Sequence, residues 1–419
     1  MTEAARTEPR TVRVVTLGAA FSGNKGAASM LQAVIDNFSS EVAPCRIDAL
    51  SIYPGEDRQT NPNPDVAIVS CKPRELLFPM FPIALLVAVL RACRIPYGPL
   101  CITPALRALR DADLVVDIAG ISFVDGRGIP ILGYNFLMTA VPLLMGKRVV
   151  KCSQALGPFR RPLNRLLARL ILPRMQAVCA RGERTETHLR DLRLNNVVSA
   201  ADLAFTMKTP NAAKACAADI LARRGPGDRP PVLVMPSSVV DRYCQAQGID
   251  YAQATAAFVD RIIDAHGVDV LIAPHSSRPD DRPTRMNDLP VCRAAYAAVT
   301  RKDHCMLVED DLSPAALRAL IARSEMLVTS RFHAMISALA TSTPVLVIGW
   351  SHKYEEVLRA FGLPECTVDY GALEADALDE LFADLFGRRD AVRTQIADAL
   401  PAVIDHARRN FDALREALR

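Results

Sequence analysis

MLVTSRFHAMISALATSTPVLVIG, residues 326–349, reads as a strand, a polar turn, a helix-length stretch and a second strand. Both strand runs, 326–328 and 345–348, are apolar on both faces. Only a sheet covered on both sides tolerates that pattern, and a helical crossover between such strands makes them parallel. Working outward, the unit recurs. Strand-like runs at 232–235, 268–273 and 305–308 alternate with helices at 251–266, from Ser313 and from Arg331. The first half shows it too, with strands at 11–17, 113–119, 148–152 and 197–200 and helices at 24–38, 162–172 and 183–192. The fold class is therefore α/β, with two doubly wound Rossmann-like domains.

The periodicity halts at RRGPGDRPP, residues 223–231, where Gly and Pro displace any regular element. This places an N-terminal domain at 1–222, a linker at 223–231, a C-terminal domain at 232–387 and a C-terminal helix at 388–419 that packs back on the first domain. A chain of 419 residues can fill two such cores. With 50% hydrophobic and 23% charged residues it is not a disordered chain, and a net charge of +4 without a Lys/Arg run gives nucleic acid no support. Eleven scattered cysteines, with no C-x-x-C, argue against a zinc site or disulfide framework and for a reducing compartment. The polar N-terminus runs straight into a strand and does not read as a signal peptide. A cytoplasmic protein is expected.

One segment stands apart. Residues 76–90 are wholly apolar, with Lys72 and Arg74 before them and Arg91 and Arg94 after. Fifteen residues fall short of the roughly 20 a spanning helix needs. Two readings remain: a buried or subunit-facing helix, or an interfacial helix that puts the protein at the inner face of a membrane. The apolar run 129–145 follows a strand and reads as a core helix.

In an open parallel sheet, ligands bind beyond the carboxyl ends of the strands, so the turns there carry the chemistry. Three of the seven histidines, His275, His333 and His352, occupy such turns in the second half. In Thr329-Ser330-Arg331-Phe332-His333, Thr329 or Ser330 is positioned to cap a helix, which puts Arg331 and His333 in its first turn. Cations there oppose the helix dipole, which points to a bound anion at the same place. The next turn repeats the theme, with Ser351 as a cap and Lys353 as a second cation. In the first half the polar turns offer Asn24 and Gly26, Ser122 and Asp125, Gln154, and the cation Arg181. Asp125 is the carboxylate best suited to hold or deprotonate a hydroxyl.

Together these residues resemble the polysaccharide pyruvyl transferase family. The specific stretch is SRFHAMISALATSTPVLVIGWSHKYEEVL, residues 330–358, supported in order by the Asn24–Gly26 turn, Gly-x-Ser-Phe-x-Asp, SQALGPF at 153–159, Ala180-Arg181, Asp202 and Pro274-His275. The resemblance implies a GT-B-like pair of domains that moves pyruvate from phosphoenolpyruvate onto a sugar as a cyclic ketal, with no metal or further cofactor. It implies His333, Arg331, His275 and His352 as catalytic residues and Arg181, Ser330, Lys353 and Ser351 as donor-binding ones. Asn24, Gly26, Ser122, Asp125 and Gln154 would face the acceptor, a saccharide or lipid-linked saccharide. Two rival readings remain from the residues: a GT-B glycosyltransferase that uses a nucleotide sugar, and a non-catalytic binding member of an exopolysaccharide assembly. The acceptor sugar and the oligomeric state are not legible.

Overall fold

The computed structural model describes residues 11–224, 229–277, 287–349, 353–372 and 376–419. They form two compact units. The first comprises residues 11–22, 30–206 and 406–419, and the second residues 23–29 with the described part of 207–405.

The first unit is built on eight parallel strands: β1 (Val12–Leu17), β2 (Cys45–Ser51), β3 (Val66–Ser70), β4 (Leu114–Asp117), β5 (Ile121–Ser122), β6 (Val149–Leu156), β7 (Ala177–Arg181) and β8 (Val197–Ala200). Their order is β3-β2-β1-β4-β6-β7-β8, with β5 paired to β6. Val14 of β1 stands between Ile47 of β2 and Leu114 of β4, so chain direction around the sheet reverses at β1. The sequence reading passed over β2 and β3. Arg46 and Asp48 interrupt the apolar run of β2, whose neighbours Ile47, Ala49 and Leu50 are nonetheless buried.

The second unit repeats the plan with β9 (Val232–Met235), β10 (Val270–Ile272), β11 (Cys305–Leu307), β12 (Met326–Thr329), β13 (Val345–Gly349) and β14 (Thr367–Asp369). The order β11-β10-β9-β12-β13-β14 is the 3-2-1-4-5-6 arrangement of a dinucleotide-binding sheet, with its switch point between β9 and β12. Strands β9, β12 and β13 are buried along their whole length, as their unbroken apolar runs require.

The division between units falls earlier than the sequence suggested. The helix Asn211–Arg223 belongs to the second unit because Ala213, Ala217 and Ile220 are buried and the helix packs on Pro314–Ala322. Arg318 of that partner helix also donates to the carbonyl of Met207 at 2.7 Å. Residues 225–228 of the expected linker lie outside the described residues. The last helix, Arg389–Leu418, is shared: it is anchored in the second unit through Arg389 and Glu325, and from His406 onward it belongs to the first. There Asn410 accepts from the Ser153 amide at 3.0 Å and donates to the Ala201 carbonyl at 3.2 Å.

The apolar segment is two-faced. A π-helical turn, Leu76–Met80, runs into the helix Phe81–Ala92. Leu76, Met80, Ala84 and Val87 are sealed in the first unit's core, while Leu77, Phe78, Leu85, Leu86 and Val89 are exposed. A wholly buried helix is thus excluded within this chain. The helix Ile129–Leu144 also departs from a pure core helix: only Met138–Pro142 is buried, and its first turn is open to solvent with Ile129 72% exposed.

Candidate functional site

The second unit gathers the charged side chains that point to chemistry. Four chain segments meet beyond the ends of β9, β10, β11 and β12. Asp288, fully buried, ties three of them together. Its carboxylate accepts from the Ser238 amide at 2.9 Å and the Ser276 amide at 3.0 Å, and it receives the Arg331 guanidinium through Nε at 2.9 Å and through Nη2. Arg331 Nη2 also reaches Ser238 Oγ at 3.1 Å. A bidentate fork of this kind fixes the plane of the guanidinium as well as its position. Burial pulls the Arg331 pKa down, but the Asp288 charge and hydrogen bonds outweigh it, so the net shift is upward.

Arg331 is itself the cap of the helix Phe332–Leu339, with φ −110° and ψ 123°, and so stands one step before the first turn. Thr329 supports it by accepting from the Arg331 amide at 3.0 Å. Ser330 is held within the scaffold. It is 1% exposed, its hydroxyl meets Tyr251 Oη at 3.0 Å, and its carbonyl accepts from Tyr354 Oη at 3.0 Å. The aromatic residues of this scaffold carry the site's floor: Phe332 packs edge-on to His333 and Tyr354, and Lys353 Nζ lies 4.8 Å from the Phe332 ring centre. Ser351 and His352 lie outside the described residues.

Sequence reasoning assigned the first Gly-containing turn to the acceptor side. The structure groups residues 23–29 with the second unit instead. Asn24 Oδ1 accepts from the Gly26 amide at 2.9 Å, which closes the turn that starts the helix Lys25–Glu41. Gly26 lies against His333: a Cβ added there would stand 2.2 Å from His333 Nδ1, so only glycine leaves room for the imidazole. Lys25, which the sequence reading did not single out, is 5% exposed and pairs with Asp311 at 2.7 Å. Asp311 in turn accepts from Ser277 Oγ at 2.5 Å.

His275 sits among these groups, 5% exposed. Burial holds its pKa well below the ordinary imidazole value, and the charges of Arg331, His333 and Lys25 push it the same way. At neutral pH it is an uncharged imidazole facing three groups that carry or can carry positive charge. The unfolded side chain has a pKa near 6.5, so below that value the unfolded chain binds a proton that the folded one refuses, and stability falls with pH. Between pH 7.5 and 5.5 the wild type should lose up to about 1.4 kcal/mol more than His275→Gln in chemical denaturation. Equal losses would show that His275 titrates normally.

The residues expected to face an acceptor in the first unit are differently employed. Ser122 Oγ donates to Gln154 Oε1 at 2.5 Å, and Gln154 Nε2 donates to Asp117 Oδ1 at 2.7 Å. Both serve a buried ion pair, Lys151 with Asp117, whose side chains are only 1% and 2% exposed. Lys151 Nζ also lies 3.1 Å from Gln154 Oε1 and 3.3 Å from Ser122 Oγ. Burying that charge requires nearby polar atoms, and Ser122 and Gln154 line it. Asp125 is a latch: Oδ2 accepts from the amides of Arg160 and Arg161 at 2.8 and 3.2 Å, and Oδ1 from Asn164 Nδ2 at 2.8 Å. It holds the start of the helix Pro162–Ile171. Arg181 ends β7 and is clamped to Asp202 at 2.7 Å, both nearly buried.

Fold and site together define a two-Rossmann protein with a cluster of buried charged turns at the second sheet's switch point. The chain belongs to the polysaccharide pyruvyl transferase family, whose model matches residues 24–352. It is accordingly a pyruvyltransferase of polysaccharide biosynthesis. It is similar to the amylovoran biosynthesis protein AmsJ of Erwinia amylovora, 21% identical over 405 residues that cover 93% of this chain and 95% of that protein. Among solved structures it is similar to UDP-GlcNAc 2-epimerase of Neisseria meningitidis, with a TM-score of 0.58, 11% identity and coverage of 97% and 99%. The α,α-trehalose 6-phosphate synthase of Burkholderia multivorans gives 0.53 and 12%, with 98% of each chain covered. These neighbours are GT-B enzymes and establish the fold class.

Proposed function

We propose that the enzyme transfers the pyruvyl group of phosphoenolpyruvate to two hydroxyls of a saccharide, forming a cyclic ketal and releasing inorganic phosphate, without a metal or further cofactor. The observation that carries this reading is the convergence of Lys25, His275, Arg331 and His333 on one switch point. Phosphoenolpyruvate bears a carboxylate and a phosphate on adjacent atoms, and fixed cations from several turns suit such a double anion. Asp311, whose side chain is 46% exposed, holds Lys25 in a pair that a ligand anion can replace.

The steps balance without a redox partner. A proton added to the methylene carbon makes it a methyl group and leaves the central carbon open to attack. One sugar hydroxyl adds there, phosphate departs with its bonding pair, and a second hydroxyl closes the ring. Of the two hydroxyl protons, one replaces the proton given to the methylene and one leaves with phosphate. His333, beside Arg331 and against Gly26, is assigned to the phosphate and to proton donation. His275, held neutral, is assigned to accepting a hydroxyl proton.

Thermal unfolding with phosphoenolpyruvate tests the donor. At 100 times its dissociation constant, a ligand stabilises the folded state by about 2.7 kcal/mol. That gain should appear with phosphoenolpyruvate and vanish in Arg331→Ala. A gain with a UDP- or GDP-sugar in its place would favour glycosyl transfer, a reading that the family membership already disfavours.

A further inference from the structure

We propose that the first unit docks on an anionic lipid surface through the outward faces of three neighbouring helices. Among the described residues, thirteen large apolar side chains are exposed, and all but Tyr243 fall between Leu77 and Leu170. The helix Phe81–Ala92 packs on Ile129–Leu144, which packs on Pro162–Ile171. The first and third show solvent an apolar stripe, and the second an apolar first turn. Leu85 and Val89 on the first and Phe78 in the π-helical turn before it are 46%, 59% and 70% exposed. Ile129 and Ile131 open the second helix, and Leu163, Leu166 and Leu170 line the third at spacings of three and four. A solvated helix would place polar residues there, and a patch of this extent marks an interaction surface.

Charge decides the occupant. Residues 76–110 and 126–182 hold no Asp or Glu, and of their fourteen Lys and Arg only Lys151 and Arg181 are buried, in pairs with Asp117 and Asp202. Arg91 and Arg94 end the first helix, and Arg165 and Arg169 alternate with the leucines of the third, all exposed. Apolar side chains ringed by cations match acyl chains beneath anionic headgroups. A second copy of this chain fits poorly, because a two-fold contact would bring the cationic rims together. Spanning fits poorly too. The stretch Pro73–Ala92 is long and apolar enough to cross a bilayer, yet Leu76, Met80, Ala84 and Val87 are sealed in the domain core. The surface therefore lies on the membrane, and the enzyme would meet a lipid-linked acceptor in the plane of that membrane.

The test is co-sedimentation of the purified full-length protein with phosphatidylcholine vesicles, with and without about one-third phosphatidylglycerol. Binding should require phosphatidylglycerol and weaken as salt screens the rim. Phe78→Ser with Leu85→Ser and Val89→Ser should lower partition by roughly tenfold or more, and Arg94→Gln with Arg165→Gln and Arg169→Gln likewise. These residues are exposed, so the variants should keep the wild-type melting temperature and turn over a water-soluble saccharide at an unchanged rate. Wild-type protein that ignores anionic vesicles, or variants that bind them as well as wild type, would overturn the proposal. So would a dimer in sedimentation equilibrium that the serine variant splits, which would make this face a subunit interface. Vesicle binding is read without donor, so the outcome is independent of the assignment of phosphoenolpyruvate.

Discussion

Gly26→Ala should lower kcat by about 100-fold while leaving the melting temperature close to that of the wild type. Gly26 sits in the first turn of the helix Lys25–Glu41, and alanine is the better helix former, so the backbone gains from the exchange. The cost falls elsewhere. The new Cβ would stand 2.2 Å from Nδ1 and 2.7 Å from Cγ of His333, and no imidazole tolerates that approach. The ring must move, and with it the group assigned to proton donation. Displacing a reacting group by about 1 Å costs on the order of 100-fold. Steady-state kinetics with thermal unfolding on the same preparation separates the two effects. Turnover within threefold of wild type would place the reacting proton on another residue. A parallel fall in stability would instead mean that His333 cannot yield and the helix start is displaced.

Asp117→Ala should destabilise the first unit by about 3–5 kcal/mol. Lys151 is fully buried, and Asp117 is its only anionic partner among the described contacts. Removing the carboxylate leaves an ammonium in the sheet with neutral acceptors only, Ser122 Oγ and Gln154 Oε1. It also takes from the Ala119 amide the Asp117 Oδ1 it donates to at 3.1 Å, and leaves Gln154 Nε2 with only the Asp117 backbone carbonyl at 3.1 Å. Ser122→Ala removes one member of the same network and should cost about 1 kcal/mol. Urea denaturation at pH 7 reads both through the midpoint at constant slope. Comparable costs for the two variants would mean that the charge pair is not what the network serves.

The alternation of apolar strands with helices made the central strands of both sheets legible, because a strand buried on two faces has almost no freedom in its sequence. The strands β9, β12 and β13 lie where their apolar runs said they would. The turn at Thr329–His333 was legible for a related reason: an Arg and a His beside a helix start are unfavourable without something to hold them. Less visible was Asp288, which stands after a stretch without regular pattern and whose partners Ser238, Ser276 and Arg331 come from three other segments. Lys25 was passed over because one cation in a Gly-containing turn resembles many solvated ones.

The partners of the polar turns in the first unit were not legible for a different reason. Ser122, Asp125 and Gln154 follow strands and so read as ligand contacts, but a side chain's position along the chain does not state its partner. In β6 the ladder with β7 shifts register between Lys151 and Gln154, and Ser153 takes φ 45°. That irregularity brings two side chains three residues apart onto the same carboxylate, where an even strand would send them to opposite faces. From its sequence alone this protein is two parallel α/β domains with a cationic turn cluster at the end of the second sheet, since local periodicity and the cost of exposed apolar surface dictate both. Which polar residues neutralise a buried charge was decided only by the tertiary structure. That choice rests on distances between segments far apart in the chain, where a buried ammonium claims whatever acceptors the fold places beside it.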